Sequence, residues 1–439
     1  MLSILTLFLI FIICLIAMKF FRHPVLRYTT LIVFNLLVIE SVMFGYLLFL
    51  ILQGNCFFLI GNQKGLDALI KIRLIEATYF AQGKKNFINQ LDNTLGYTIG
   101  ENKDLGPYQS NAQGLRANRN YSSIPNPNLL RIAVFGDSFV FCDGEKNSDT
   151  WAYLLEQSVH GLEVLNLGVP GYGLGQSYLR YLKDGLKFSP DIIFFNYTLL
   201  SDRDRVSPSE WAGSDNIRMA HLYRVRFRIE NGVLLSQATT PYELFDPSFR
   251  EKYLFQPLGI DSHARFWSWK FFSISNTGLA LKQMIYRRWL AKHASQGEYH
   301  NDEINYKILE HLLLTAEQNK STFIFSYDRD FSDLPQRIQS LIKEHSSRVI
   351  YVNAQKVLQK RYAALGKDRT PYKRLSTPQL LYAPEDLLNS SGHFNAQGNR
   401  IFADVVLEIL KTHPLGENDR KFQFDEQNQT FRNTSVKNP

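Results

Sequence analysis

The sequence predicts an α/β protein: a three-layer α/β/α unit built on a parallel sheet of about five strands, preceded by a two-helix transmembrane hairpin. Three observations predict it. Two long apolar runs occupy the first 52 residues. From residue 128 onward, short β-rich apolar runs alternate with stretches of helical periodicity, the pattern of parallel strands joined by crossover helices. The first of those strands ends in the turn Gly136-Asp137-Ser138, at the sheet edge where open α/β folds bind ligands.

Taken in order, residues 2 to 18 carry no charge and residues 29 to 52 carry only Glu40. Each run is about long enough to cross a hydrocarbon core of roughly 30 Å. A cleaved signal peptide is the alternative for the first run. It lacks a basic leading segment and a small-x-small cleavage site, and a second apolar run follows it. Lys19, Arg22 and Arg27 lie in the connection between the runs, whereas the next basic residue after the second is Lys64. The positive-inside rule puts that connection in the cytoplasm and the large C-terminal part outside, periplasmic in a Gram-negative cell. Glu40 and Asn35 sit mid-membrane, and an acid there is either a contact to a membrane partner or a carboxyl kept protonated inside the hairpin.

The expected boundaries are 1–56 for two transmembrane helices, about 2–18 and 29–52, and 57–127 for a linker and lead-in. The α/β domain follows at 128–412 with a cap insertion at about 205–300, and 413–439 is expected to be a flexible tail. The strands fall at Arg131 to Phe135, Glu163 to Leu167, Asp191 to Tyr197, Thr322 to Ser326 and Arg348 to Val352. Helices fit near 150–159, 174–187, 303–319, 334–346 and 396–411. Within the insertion, Glu230-Asn231-Gly232 predicts a hairpin, and a basic, aromatic helix is expected from about 263 to 293.

Composition bounds the function. In 439 residues, 21% are charged and 45% hydrophobic, which describes a globular protein of two or three units rather than a disordered chain. The formal charge of +8 is not gathered into a dense basic block, so it reads as a solvated basic surface and no nucleic-acid partner is expected. Cys14, Cys56 and Cys142 form neither a disulfide framework nor a metal-type spacing, and no metal and no cofactor are expected. Gly171-x-Gly173-x-Gly175 superficially suggests a dinucleotide loop, but Gln176 stands where the last glycine is needed and no acid ends the following strand.

Chemistry is concentrated at Phe135-Gly136-Asp137-Ser138-Phe139, where a serine leaves the carboxyl end of the first parallel strand. Such a turn exposes a hydroxyl and a backbone N–H at the mouth of the sheet. Gly-Asp-Ser is also an everyday loop. Three further segments follow or precede it: Asn166-Leu167-Gly168-Val169-Pro170-Gly171-Tyr172-Gly173, the terminal Asn389-Ser390-Ser391-Gly392-His393-Phe394-Asn395-Ala396-Gln397-Gly398, and upstream Ser110-Asn111-Ala112-Gln113-Gly114-Leu115-Arg116. In this order they resemble the blocks of the SGNH (GDSL-like) hydrolase superfamily, in its membrane-anchored bacterial form concerned with polysaccharide O-acylation and deacylation. The resemblance runs from about residue 95 to 411.

The resemblance implies an SGNH/flavodoxin-like fold, Ser138 as nucleophile and His393 as base. It also implies an oxyanion hole from the N–H groups of Ser138 and Gly171, with Ser201 in the third block. Asp137 is expected to anchor its turn, and Cys142 to be a buried thiol. Two positions depart from the family. Ser201-Asp202 stands where Asn-Asp is usual, so a hydroxyl replaces a side-chain amide. Loss of such a donor costs on the order of a hundredfold or more in rate. Ser390 and Ser391 stand where an Asp usually orients the histidine. Asp386 or Glu385 reaching back, Ser391, or a Ser138/His393 dyad oriented by a backbone carbonyl are the alternatives. The expected function is therefore a serine-dependent esterase acting on O-acyl, foremost O-acetyl, groups of an envelope glycan. An O-acetyltransferase on the same site, or a catalytically degraded glycan-binding or assembly protein, are the alternatives.

Overall fold

The computed structural model describes residues 2–20, 24–52, 88–196, 225–238, 298–327, 330–367, 372–374, 381–413, 415 and 421–435. Ser201, Asp202, Cys56 and the helix expected at 263–293 lie outside them. The chain divides into two compact units, and the described part of the first is the apolar helix pair.

Helix α1 (Leu2–Phe20) and helix α2 (Pro24–Leu52) are separated by three residues, and Pro24, whose fixed φ suits a first helical turn, opens α2. They pack side by side with the rings of Phe11 and Phe34 5.5 Å apart. Large apolar side chains stay exposed on both, among them Phe8, Leu9, Ile13, Leu31, Ile32 and Val42. The polar side chains are turned back onto their own helix: Thr29, Thr30, Asn35 and Ser41 donate to the carbonyls four residues earlier, at 2.7 to 2.9 Å. Glu40, in contrast, is buried. Pro24–Leu47, 24 residues, is long and apolar enough to cross a membrane, while the apolar stretch of the first helix, Leu7–Lys19, is shorter.

The described part of the second unit begins within the segment expected to be linker and lead-in. Strands β1 (Asn89–Asp92) and β2 (Gly96–Ile99) form an antiparallel hairpin whose Leu95, Tyr97 and Ile99 are buried. The sheet strands β3 (Leu130–Gly136), β4 (Leu162–Asn166) and β5 (Ile192–Asn196) follow where the apolar runs predicted them. The insertion contributes the expected hairpin, β6 (Val225–Glu230) and β7 (Val233–Ala238), turning on Asn231 and Gly232, both at positive φ. Strands β8 (Thr322–Tyr327) and β9 (Val349–Asn353) complete a five-stranded, all-parallel sheet of order β4-β3-β5-β8-β9. A short pair, β10 (Tyr372–Arg374) and β11 (Leu381–Pro384), was not anticipated.

The described helices of this unit are α3 (Ser138–Phe141), α4 (Trp151–Ser158), α5 (Leu174–Arg180), α6 (Glu298–Gln318), α7 (Gln336–Glu344), α8 (Ala354–Ala364) and α9 (Ala396–Thr412). Strand alternation sorts the core into two layers. Ile132, Val134, Phe194, Ile324 and Val352 pack with Trp151 and Leu155 of α4, Leu358 of α8 and Phe402 and Val406 of α9. Phe135, Phe195 and Phe323 face the other way, against Tyr181 where α5 runs into a π turn. Each such fully buried apolar side chain contributes about 1.5–3 kcal/mol.

The tail expected to be loose is a hairpin, β12 (Phe422–Asp425) and β13 (Thr430–Asn433). Phe422 and Phe431 are only 2% exposed and belong to the same core as α9. Two aromatics in alternation within a polar stretch anchor it, a signal too sparse for periodicity to register. At the amino edge of the sheet, Arg131 is 1% exposed and each of its side-chain nitrogens is hydrogen-bonded. It donates to Glu163 Oε2 at 2.7 and 2.9 Å and to the carbonyls of Ser122 and Phe188 at 2.8 Å.

Candidate active site

Ser138 opens α3 immediately beyond β3. Asp137 is the N-cap: its carboxylate accepts the Phe139 N–H at 2.9 Å, so it fixes the turn on which the serine sits. Phe139, Val140 and Phe141 anchor the short helix in the core, and Cys142 ends it in a left-handed conformation, φ 60°. The Cys142 thiol is fully buried, and burial pushes its pKa up to about 12, so it remains a neutral thiol.

The second block is clamped to this turn. Asn166 donates to the Val140 carbonyl at 2.8 Å and accepts the Gly168 N–H at 3.0 Å. Gly168 is required by proximity, because a Cβ there would lie 2.7 Å from the Phe141 nitrogen. Beyond it the chain continues alongside β3 through Val169 N–H to the Gly136 carbonyl, 3.1 Å, and reaches Gly171 at φ 83°. The lead-in hairpin props this loop: the Tyr97 hydroxyl donates to the Pro170 carbonyl at 2.9 Å and the Tyr172 hydroxyl donates to the Tyr97 carbonyl. The backbone N–H groups of Ser138 and Gly171 donate to no protein group among the described residues.

The terminal block meets Ser138 from across 255 positions of sequence. His393 Nε2 is 2.7 Å from Ser138 Oγ. Its ring lies against Phe139, centroids 4.9 Å apart, and Phe139 in turn meets Phe394 edge-on at 5.4 Å. On the other side of the ring, Nδ1 is 3.0 Å from Ser391 Oγ. The two acids proposed to reach back do not. Pro384 starts a tight turn at Glu385–Leu387 that buries Leu387 and sends Glu385 and Asp386 outward; Asp386 pairs with Lys367 instead. Of the alternatives for orienting His393, the structure brings Ser391 to the ring and leaves Glu385 and Asp386 away from it.

The sequence assigns no role to two asparagines near this site. Asn389 Oδ1 accepts from the Ser391 hydroxyl at 2.7 Å and from the N–H groups of Ser391 and His393 at 3.0 and 3.2 Å. Its amide nitrogen donates to the Asp143 carbonyl at 2.9 Å and to Glu145 Oε1 at 3.1 Å. An Asn followed within four residues by a turn glycine is the sequence signal for such a side-chain-to-backbone loop. Asn196 closes β5 beside Gly136 and Ser326 in the register, and its Oδ1 accepts from Ser326 Oγ at 2.9 Å.

The segment 143–145 that receives Asn389 is itself held by the lead-in. Tyr108 donates its hydroxyl to Asp143 at 2.5 Å and accepts the Gly144 N–H at 2.8 Å; burial, with Asp143 beside it, pushes the phenol up to about 12. Arg116 donates to the Glu145 carbonyl and lies over the rings of Phe141 and Tyr108, 4.1 and 4.7 Å from their centroids. Burial pulls its guanidinium down to about 10, which leaves it charged at neutral pH. The Asn-x-x-Gly-x-Arg lead-in therefore braces the nucleophile turn.

No protein-family model matches the chain. No curated protein matches it either. Among solved structures, an acetylxylan esterase from Geobacillus stearothermophilus is similar at 12% identity and a TM-score of 0.31, covering 66% of this chain and 98% of its own. An alpha/beta hydrolase enzyme from the metagenome of Lake Arreo, Spain, is similar at 13% identity and a TM-score of 0.29, covering 63% of this chain and 93% of its own. Likenesses of that size do not bear on function.

Proposed function

We propose that this chain is a serine-dependent acyl-ester hydrolase of the SGNH type, acting on O-acyl, foremost O-acetyl, groups of an extracytoplasmic glycan. The observation that carries the reading is the 2.7 Å contact between Ser138 Oγ and His393 Nε2, made at the carboxyl edge of a parallel sheet beside two backbone N–H groups that donate to no group among the described residues. His393 takes the Ser138 proton as Oγ bonds to the ester carbonyl carbon, and the N–H groups of Ser138 and Gly171 stabilise the resulting oxyanion. Collapse of that intermediate breaks the ester bond, and His393 returns the proton to the departing glycan hydroxyl. Water, deprotonated by the same imidazole, then releases the acyl group as its acid and restores Ser138.

The glycan and the location rest on the N-terminal helices and on the resemblance to polysaccharide-modifying proteins. Pro24–Leu47 has the length of a span, and Lys19, Arg22 and Arg27 precede or open it, which supports a cytoplasmic connection and a site outside.

The test is release of p-nitrophenol from p-nitrophenyl acetate together with labelling by a serine-directed fluorophosphonate, in the full-length chain and in Ser138→Ala and His393→Ala. Turnover and labelling at Ser138 that Ser138→Ala abolishes, and His393→Ala lowers by about 100-fold or more, are expected. Folded wild type with neither signal would sink the hydrolase reading and leave a glycan-binding protein on the same fold.

A further inference from the structure

We propose that Ser391, Asn389 and Glu145 form a one-directional hydrogen-bond chain that holds His393 in the Nδ1–H tautomer, doing the orienting work for which related sites use an aspartate. The inference rests on the reading of Ser138 and His393 given above, and its starting point is two backbone N–H groups. Those of Ser391 and His393 both point at Asn389 Oδ1, 3.0 and 3.2 Å away. An amide nitrogen cannot accept them, so the Asn389 side chain has one orientation, with its oxygen toward the loop. Its nitrogen then faces the Asp143 carbonyl and Glu145 Oε1, both acceptors, at 2.9 and 3.1 Å.

Proton counting fixes the remaining links. Ser391 has a single hydroxyl proton, and its oxygen is 2.7 Å from Asn389 Oδ1, which has none to give. The Ser391 proton therefore lies on that contact. Ser391 Oγ meets His393 Nδ1 at 3.0 Å with only lone pairs left, so the imidazole supplies the proton from Nδ1. In a neutral ring Nε2 is then bare, and it accepts the Ser138 hydroxyl at 2.7 Å. Every link donates in the same sense, from Ser138 to His393, to Ser391, to Asn389, while Asn389 donates from its other end to Glu145. The carboxylate of Glu145 thus fixes Asn389, and Asn389 fixes the hydroxyl that receives the histidine proton. These three are positioning residues: none is placed to touch the ester.

The test joins a tautomer measurement to kinetics. Histidine-selective 15N NMR of the full-length chain at a pH where imidazoles are neutral, with His393→Gln to assign the signal, is expected to show His393 as the Nδ1–H tautomer, the minor form of a free side chain. Ser391→Ala is expected to lower kcat for p-nitrophenyl acetate about 10- to 100-fold with KM within about twofold, and to release the tautomer preference. Ser391→Thr, which keeps the hydroxyl, should restore both. Glu145→Ala should lower kcat by a smaller factor, about three, and Glu145→Gln, which keeps an acceptor oxygen, should not. An Nε2–H tautomer in wild type, or wild-type kcat in Ser391→Ala or Glu145→Ala while Ser138→Ala is inactive, overturns the chain. An Nδ1–H tautomer in a protein with no Ser138-dependent turnover keeps the chain and removes the hydrolase reading.

Discussion

The side chains that determine whether Ser138 can act are small and closely fitted. Gly168 is the most exposed to test, since a methyl group at that position would overlap the Phe141 nitrogen and the Val140 side chain. The cost is displacement of α3, because the nearest atom is backbone and cannot rotate away. Gly168→Ala is expected to destabilise the fold by about 1–3 kcal/mol and to slow fluorophosphonate labelling more than that loss explains. Thermal unfolding and labelling rate measured on the same preparation check it. Unchanged labelling would mean that the turn tolerates the shift. Asn166 acts by hydrogen bond instead of by volume. Asn166→Ala leaves the Val140 carbonyl and the Gly168 N–H unserved and is expected to cost about 1–3 kcal/mol.

At the scale of elements, the site is a meeting of four segments, and two of them were not obvious parts of it. The lead-in hairpin supports the loop carrying Gly171 through Tyr97 and Tyr172, and Arg116 and Tyr108 support the segment that holds Asn389. Tyr97→Phe removes one hydrogen bond, to the Pro170 carbonyl, at little cost in packing. A loss of about 1 kcal/mol in stability with a measurable fall in kcat is expected, whereas a fall in stability alone would make the hairpin a passive neighbour. The amino edge provides the contrast. Arg131→Ala would leave the nearly buried Glu163 with only the half-exposed Arg119, 3.5 Å away, and is expected to cost about 3 kcal/mol by chemical denaturation, with labelling of Ser138 retained wherever the protein is folded.

The whole molecule should be sensitive to alkali. Burial holds the Cys142 thiol protonated to about 12, against an ordinary value of 9.0, and burial with Asp143 holds Tyr108 to about 12, against 10.0. Tyr121, Tyr172 and Tyr181 are pushed upward in the same direction, chiefly by burial. In each case the folded state keeps a proton that the unfolded chain releases. The stabilisation is therefore complete below pH 9, and it is lost as pH rises toward the folded values. Denaturant midpoints are expected to fall steadily between pH 9 and 11, and the share of tyrosinate absorbance that belongs to these buried rings to appear together with unfolding instead of ahead of it. Cys142→Ala should flatten the lower part of that fall.

By itself the sequence determined the alternation of strand and helix, the positions of β3, β4, β5, β8 and β9, and the hairpin at Asn231-Gly232, because these follow from local periodicity and turn chemistry. It also pointed to Ser138 and His393, whose short flanking motifs are local. Only the tertiary structure decided what orients the histidine. Glu385 and Asp386 are nearer in sequence than Glu145, yet burial of Leu387 turns them to solvent, while Glu145, 244 positions away in sequence and just beyond the nucleophile turn, accepts from the Asn389 amide. The hairpins of the tail and of β1 and β2 escape the sequence for a related reason. Their anchoring depends on a few aromatics, Phe422, Phe431 and Tyr97, whose burial is set by surfaces made elsewhere in the chain, and no local pattern records a surface that forms only on folding.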